Sequence, residues 1–186
     1  KGSSLSISSP PPNVSVQVFE EQSHLIDGGW IGHVAAAALD GVGVSGEGLS
    51  VVITDDDTVA ELNRTHRGLD ETTDVLSFSY AHSGTFYGDE DQKPEPAMAD
   101  EFILPPAMET DLGEIVISYP QAERQASQAE HTVEKELVVL LAHGILHLLG
   151  YDHEDDDEAA EMKIWEEKAF AAIESGGYLI EAGPGR

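Results

Sequence analysis

His143, His147 and His153 stand at spacings that can close on one metal ion. The first two are four residues apart, so on a helix they share a face with Cβ atoms roughly 5–6 Å apart, a separation two imidazoles bridge through one ion. Gly150 falls where such a helix would end. A glycine there accepts the left-handed conformation that reverses the chain, which would carry His153 back toward the other two ligands. Three protein ligands leave one position of a tetrahedral zinc open, and zinc lowers the pKa of water in that position to about 7. The chain contains no cysteine that could close the site as a fourth ligand. Two histidines on an apolar helix are also what a hydrogen-bonded core contains; the third histidine and the glycine favour the metal.

The same spacing fits the long metalloprotease pattern H-E-x-x-H-x-x-G-x-x-H, with one difference: Gly144 stands where the general-base glutamate belongs. Without that carboxylate, the usual route for taking a proton from water and passing it to a leaving amine is missing. Peptide hydrolysis by a zincin-like enzyme is therefore the weaker alternative. Phosphodiester cleavage remains open, because there the ion polarises a phosphoryl oxygen and the base role passes to another residue or to water.

Two further motifs precede the histidines: Asn63-x-x-x-Arg67 followed by Thr73-Asp74-Val75-Leu76-Ser77-Phe78, and Leu112-Gly113-Glu114-Ile115-Val116-Ile117. With the element from His143 to His153, they make the chain resemble the YbeY family, metal-dependent endoribonucleases of ribosomal RNA maturation, over about residues 14–173. The resemblance implies cleavage of single-stranded RNA, in particular at the 3′ end of small-subunit ribosomal RNA precursors, with a part in ribosome quality control. It implies one Zn2+ per chain, or another divalent ion in its place, held by His143, His147 and His153. Arg67 would join those histidines in catalysis. The ribosome small subunit or its assembly factors would be partners. A second reading keeps the metal and drops the chemistry: a non-catalytic ribosome-assembly factor.

A guanidinium at Arg67 can hold a phosphate through two hydrogen bonds and stabilise charge developing at phosphorus. Residue types alone allow an ordinary surface ion pair for both Arg67 and Arg64, given the many nearby acids. His66 stands where relatives commonly carry tyrosine, exchanging a stacking surface for an imidazole donor. Asp152 can orient a ligand histidine, coordinate weakly or cap the next helix. Asp74 and Glu114 fit structural hydrogen bonding as well as they fit a proton-transfer role.

The elements that must position these residues follow from patterning. Strands are expected over 14–19, 49–54, 74–79 and 112–118, and helices over 30–39, 59–66 and 120–131. Asp56 or Asp57 is expected to cap the second helix, and Thr132 the apolar metal helix. The acids at 154–157 open an amphipathic last helix that reaches about 173. This is an α/β (α+β) alternation, and the resemblance implies a single domain: a small mixed sheet flanked by helices, with the metal-site helix packed on it and a zincin-like three-histidine site. The domain is expected over 14–175, between a Ser/Pro-rich disordered tail at 1–13 and a glycine-rich flexible tail at 176–186. A long acidic, proline-containing insertion at 80–111 reads as solvated chain, with a lid or docking segment as the alternative.

At 186 residues and 40% hydrophobic content, the chain is long enough to bury a sizeable core. Its longest apolar run, 137–149, is interrupted by two histidines and is too short for the roughly 20 residues a bilayer requires. A cytoplasmic protein without a membrane partner is expected. Charge is the main objection to an RNA substrate: 36 acidic against 9 basic residues give a net −27. At about 1 M salt the Debye length falls to roughly 3 Å, so a saline cytoplasm would remove most of that repulsion.

Overall fold

Val51-Val52-Ile53 and Ile115-Val116-Ile117 are continuous apolar runs rather than alternating ones, the pattern of strands covered on both faces. In the computed structural model, which describes residues 10–80, 86–87, 111–151 and 156–179, they lie side by side at the centre of the sheet. The strands are β1 (Val14–Val18), β2 (Gly48–Thr54), β3 (Val75–Ser79), β4 (Phe86–Tyr87) and β5 (Asp111–Ser118). Their order is β1-β2-β5-β3-β4. β1, β2 and β5 run parallel, while β3 is antiparallel to both β5 and β4, so the sheet is mixed.

Among the described residues, five helices cover this sheet: α1 (Gly28–Gly41), α2 (Asp56–Arg67), α3 (Tyr119–Gln128), α4 (Val133–Leu148) and α5 (Asp156–Ser175). Strand alternation divides them. Leu49, Val51, Ile53, Ile115 and Ile117 face the main core with α1, α4 and α5, whereas Val116, Leu76, Val52 and Phe78 turn to the other face and meet Val59 and Leu62 of α2. The helix α4 is apolar almost all round because the sheet, α1, α3 and α5 surround it. Leu137, Leu141, Ile145 and Leu146 are fully buried, each contributing about 1.5–3 kcal/mol relative to exposure. None of the described helices is long and apolar enough to cross a membrane.

Two expectations are corrected at element ends. The cap of α2 is Asp55, not Asp56 or Asp57; its carboxylate accepts from the Thr58 amide at 2.7 Å. The phase that turns Val59 into the sheet selects the first of the three aspartates. The helix α3 begins at Tyr119 and ends at Gln128, short of His131, because Ser118 caps it and Ala129 closes its last turn. In the region read as an insertion, Phe86–Tyr87 pairs with β3 as a two-residue strand; 81–85 and 88–110 lie outside the described residues, as do 1–9 and 180–186 of the expected tails.

Released from capping, Asp56 ties α2 to α3. It accepts from the Ser118 hydroxyl at 2.5 Å and from Arg124 at 2.8 and 2.9 Å. Burial alone would raise its pKa, but the Ser118 hydroxyl and the Arg124 guanidinium together hold it below the ordinary 3.8. A carboxylate lowered on folding contributes stability above its unfolded pKa and loses it as pH falls through the folded value. Arg124→Ala is therefore expected to cost up to about 1 kcal/mol at pH 7, a limit set by the exposure of this pair. That difference should vanish below the folded pKa, which urea unfolding at neutral and strongly acidic pH would check.

Candidate metal centre

Thr132 caps α4 through its hydroxyl, which accepts from the Lys135 amide at 3.3 Å, and the helix then runs without interruption through His143 and His147. Its end has the reversal expected of Gly150. That residue takes φ +88°, its amide donates to the His147 carbonyl, and the Tyr151 amide donates to the Leu146 carbonyl. This is the paired hydrogen-bond pattern of a left-handed helix stop. The turn has a direct effect on the histidines, because it brings the Tyr151 carbonyl within 3.1 Å of His147 Nδ1.

A carbonyl only accepts, so His147 Nδ1 must carry its proton, and in the neutral ring Nε2 is then the ligating nitrogen. His143 is arranged alike: its Nδ1 lies 3.1 Å from Glu166 Oε1, and the carboxylate accepts a hydrogen bond from Nδ1–H. The two Nε2 atoms therefore point at each other, 2.8 Å apart, with rings nearly perpendicular. Ring nitrogens that close share a cation between them, either a proton held as an Nε2–H···Nε2 hydrogen bond or a metal ion. Ligand nitrogens on a tetrahedral zinc sit about 3.3 Å apart, so the pair needs to open only slightly to hold the ion. The donors fit the metal that the spacing implies.

His153 and Asp152 lie outside the described residues, and among the described residues no group of three or more metal-binding side chains forms. Arg67 is the last residue of α2, on the sheet face opposite α4, and its charge there suits the negative end of the helix dipole. Before it, His66 packs edge-on against Phe78 with ring centroids 5.3 Å apart. Arg64 is taken up by Glu61 and, at 3.9 Å, Asp70, which is the surface ion pair the residue types allowed. Asp74 accepts from Thr73, the Val75 amide and Gln125, binding β3 to α3. The residue that sequence reasoning missed is Glu166.

Gly144 lies on the sheet side of the same helix. A Cβ there would come within 3.0 and 3.2 Å of Ile115 and 3.2 Å of the Ser77 hydroxyl. Ser77 itself donates to the Gly144 carbonyl at 3.3 Å. The position held by glutamate in metalloproteases is thus pressed against β3 and β5.

Comparison with known proteins identifies the family. A family described as Endoribonuclease YbeY matches residues 20–174. Proteins named Endoribonuclease YbeY resemble the chain: one from Dehalococcoides mccartyi is 46% identical over 67% of this chain and 68% of its own length. One from Moorella thermoacetica is 43% identical over 75% and 80%, and one from Roseiflexus castenholzii is 37% identical over 86% and 92%. Among solved structures, the solution structure of TM1509 from Thermotoga maritima shares the fold with a TM-score of 0.51, at 23% identity over 93% of this chain and 99% of that one.

Proposed function

Because the chain belongs to the YbeY endoribonuclease family, we propose that it is a zinc-dependent, single-strand-specific endoribonuclease that trims the 3′ end of small-subunit ribosomal RNA precursors and serves ribosome quality control in the cytoplasm. The observation that carries this reading is the pair of Nε2 atoms of His143 and His147, facing each other at 2.8 Å with both Nδ1 atoms engaged elsewhere. His153 completes the ligand set in this reading. A zinc ion held there would supply Lewis acidity toward a phosphoryl oxygen and a nucleophilic water near neutral pH.

The chain's own residues do the remainder. Glu166 and the Tyr151 carbonyl fix the histidine tautomers, and α4 keeps water from one side of the pair, since His147 is only 5% exposed. Arg67 contacts the phosphate of the substrate in this proposal from the other face, around the end of β3 where α2 stops beside Phe78 and α4 beside Ser79. The test is cleavage of a single-stranded RNA spanning a small-subunit precursor 3′ end by zinc-loaded and chelated protein. Cleavage by the loaded protein alone supports the reading. No cleavage despite one tightly bound zinc per chain would favour a metal-binding assembly factor.

Salt dependence should carry an unusual sign. Proteins that neutralise phosphates with Lys and Arg lose nucleic-acid affinity as salt rises. With net −27 the chain as a whole repels RNA, and that repulsion is screened at about 1 M salt. The KM for RNA is expected to fall as salt rises from 0.1 to 1 M. A KM that climbs with salt would show that local contacts dominate and that the acidic surface has no bearing on substrate approach.

A further inference from the structure

The last helix contributes more than packing to the histidine pair. Met162, Ala169 and Ile173 form its buried stripe against the core. Glu166 falls on that stripe, four residues after Met162 and three before Ala169, at a place where an apolar side chain would ordinarily stand. Its carboxylate instead meets His143 Nδ1 at 3.1 Å, with both side chains about seven-tenths covered. The preceding residue, Trp165, packs its ring 5.7 Å from that of Tyr151. Tyr151 in turn offers the carbonyl that holds His147. Two consecutive residues of α5 thus bear on the two histidines, one directly and one through the turn after α4.

We infer that Glu166 is a positioning residue of the metal centre, a carboxylate that fixes the tautomer and direction of His143 so that its Nε2 lone pair faces the ion. This rests on the metal-centre reading above. The physical argument is that a neutral imidazole has two tautomers, and only the one protonated at Nδ1 presents Nε2 as a ligand. A carboxylate on Nδ1 selects that tautomer and increases the basicity of the ligating nitrogen. Loss of such a partner lowers metal affinity by about 10–100-fold.

The test uses the full chain and zinc alone, with affinity read by competition against a chromophoric chelator. Glu166→Ala is expected to bind zinc about 10–100-fold more weakly than the wild type. Glu166→Gln should fall between them, since its amide oxygen still accepts from Nδ1 but without charge. Glu167→Ala, on the exposed side of α5, removes the same charge and should bind as the wild type does. With cobalt(II) in place of zinc, the visible spectrum of Glu166→Ala should shift, and that of Glu167→Ala should not. Affinity equal in Glu166→Ala and Glu167→Ala would overturn the inference. So would a drop in the metal-free melting temperature of Glu166→Ala with affinity unchanged, which would make Glu166 a tie between α4 and α5. A wild type that binds no zinc would sink the metal-centre reading itself, an outcome distinct from either of these.

Discussion

His147→Ala should abolish the response to zinc. In the wild type, zinc at a hundred times its dissociation constant is expected to raise stability by about 2.7 kcal/mol, because it binds the folded chain and not the unfolded one. The variant keeps His143 and its Glu166 partner but has lost the facing Nε2. The affinity lost should exceed the roughly 100-fold upper range for an outer partner, so the zinc-induced rise in melting temperature should disappear. RNA cleavage should fall by on the order of a thousandfold, since the Lewis acid goes with the ligand. The metal-free variant should remain folded. The substitution removes one hydrogen bond to the Tyr151 carbonyl and the Nε2 contact with His143, each worth about 1 kcal/mol. Thermal melts with and without zinc would decide this, and a variant that kept the full zinc shift would exclude His147 as a ligand.

How much of this centre the sequence discloses depends on the distance over which each part is specified. The spacing of His143 and His147 and the reversal at Gly150 are local, set by helix geometry and by one residue that tolerates positive φ, and both are legible. The helix α4 is legible too, since an apolar surface broken by two histidines has to be buried. The choice of Asp55 over its two neighbours is less so, because three adjacent aspartates can all cap and only the docking of Val59 selects among them. The Tyr151 carbonyl is backbone and leaves no residue-type signal. Glu166 is 23 residues from His143, in a helix crowded with acids. One signal is present: Glu166 continues the face of Met162, Ala169 and Ile173, which among the glutamates of α5 it shares with Glu158 of the first turn. A carboxylate inside an apolar stripe calls for a partner, although only the packing of α5 on α4 identifies which.

The sequence puts Gly144 where a metalloprotease carries its catalytic base, and the contact between helix and sheet gives that absence a cause. The direction of this residue is set by where α4 rests on β3 and β5. Gly144→Glu is therefore expected to destabilise the fold rather than to create a peptidase. Its Cβ would enter at 3.0 Å from Ile115, where neighbours must already give way, and the rest of the side chain would have to place a carboxylate among buried apolar groups. Overpacking costs about 1–3 kcal/mol, and burying a charge without a partner adds at least as much. A loss near 4 kcal/mol corresponds to on the order of 10 °C in Tm for a chain of this size. Gly144→Ala separates the two contributions. It meets the same contact at Cβ but regains about 1 kcal/mol of helix propensity, so its Tm should lie much nearer the wild type. Differential scanning calorimetry on the metal-free proteins would measure both, with peptide hydrolysis assayed in the zinc-loaded forms. A Gly144→Glu protein that melts with the wild type would mean that this face of α4 stands away from the sheet, leaving room for a base beside the histidines.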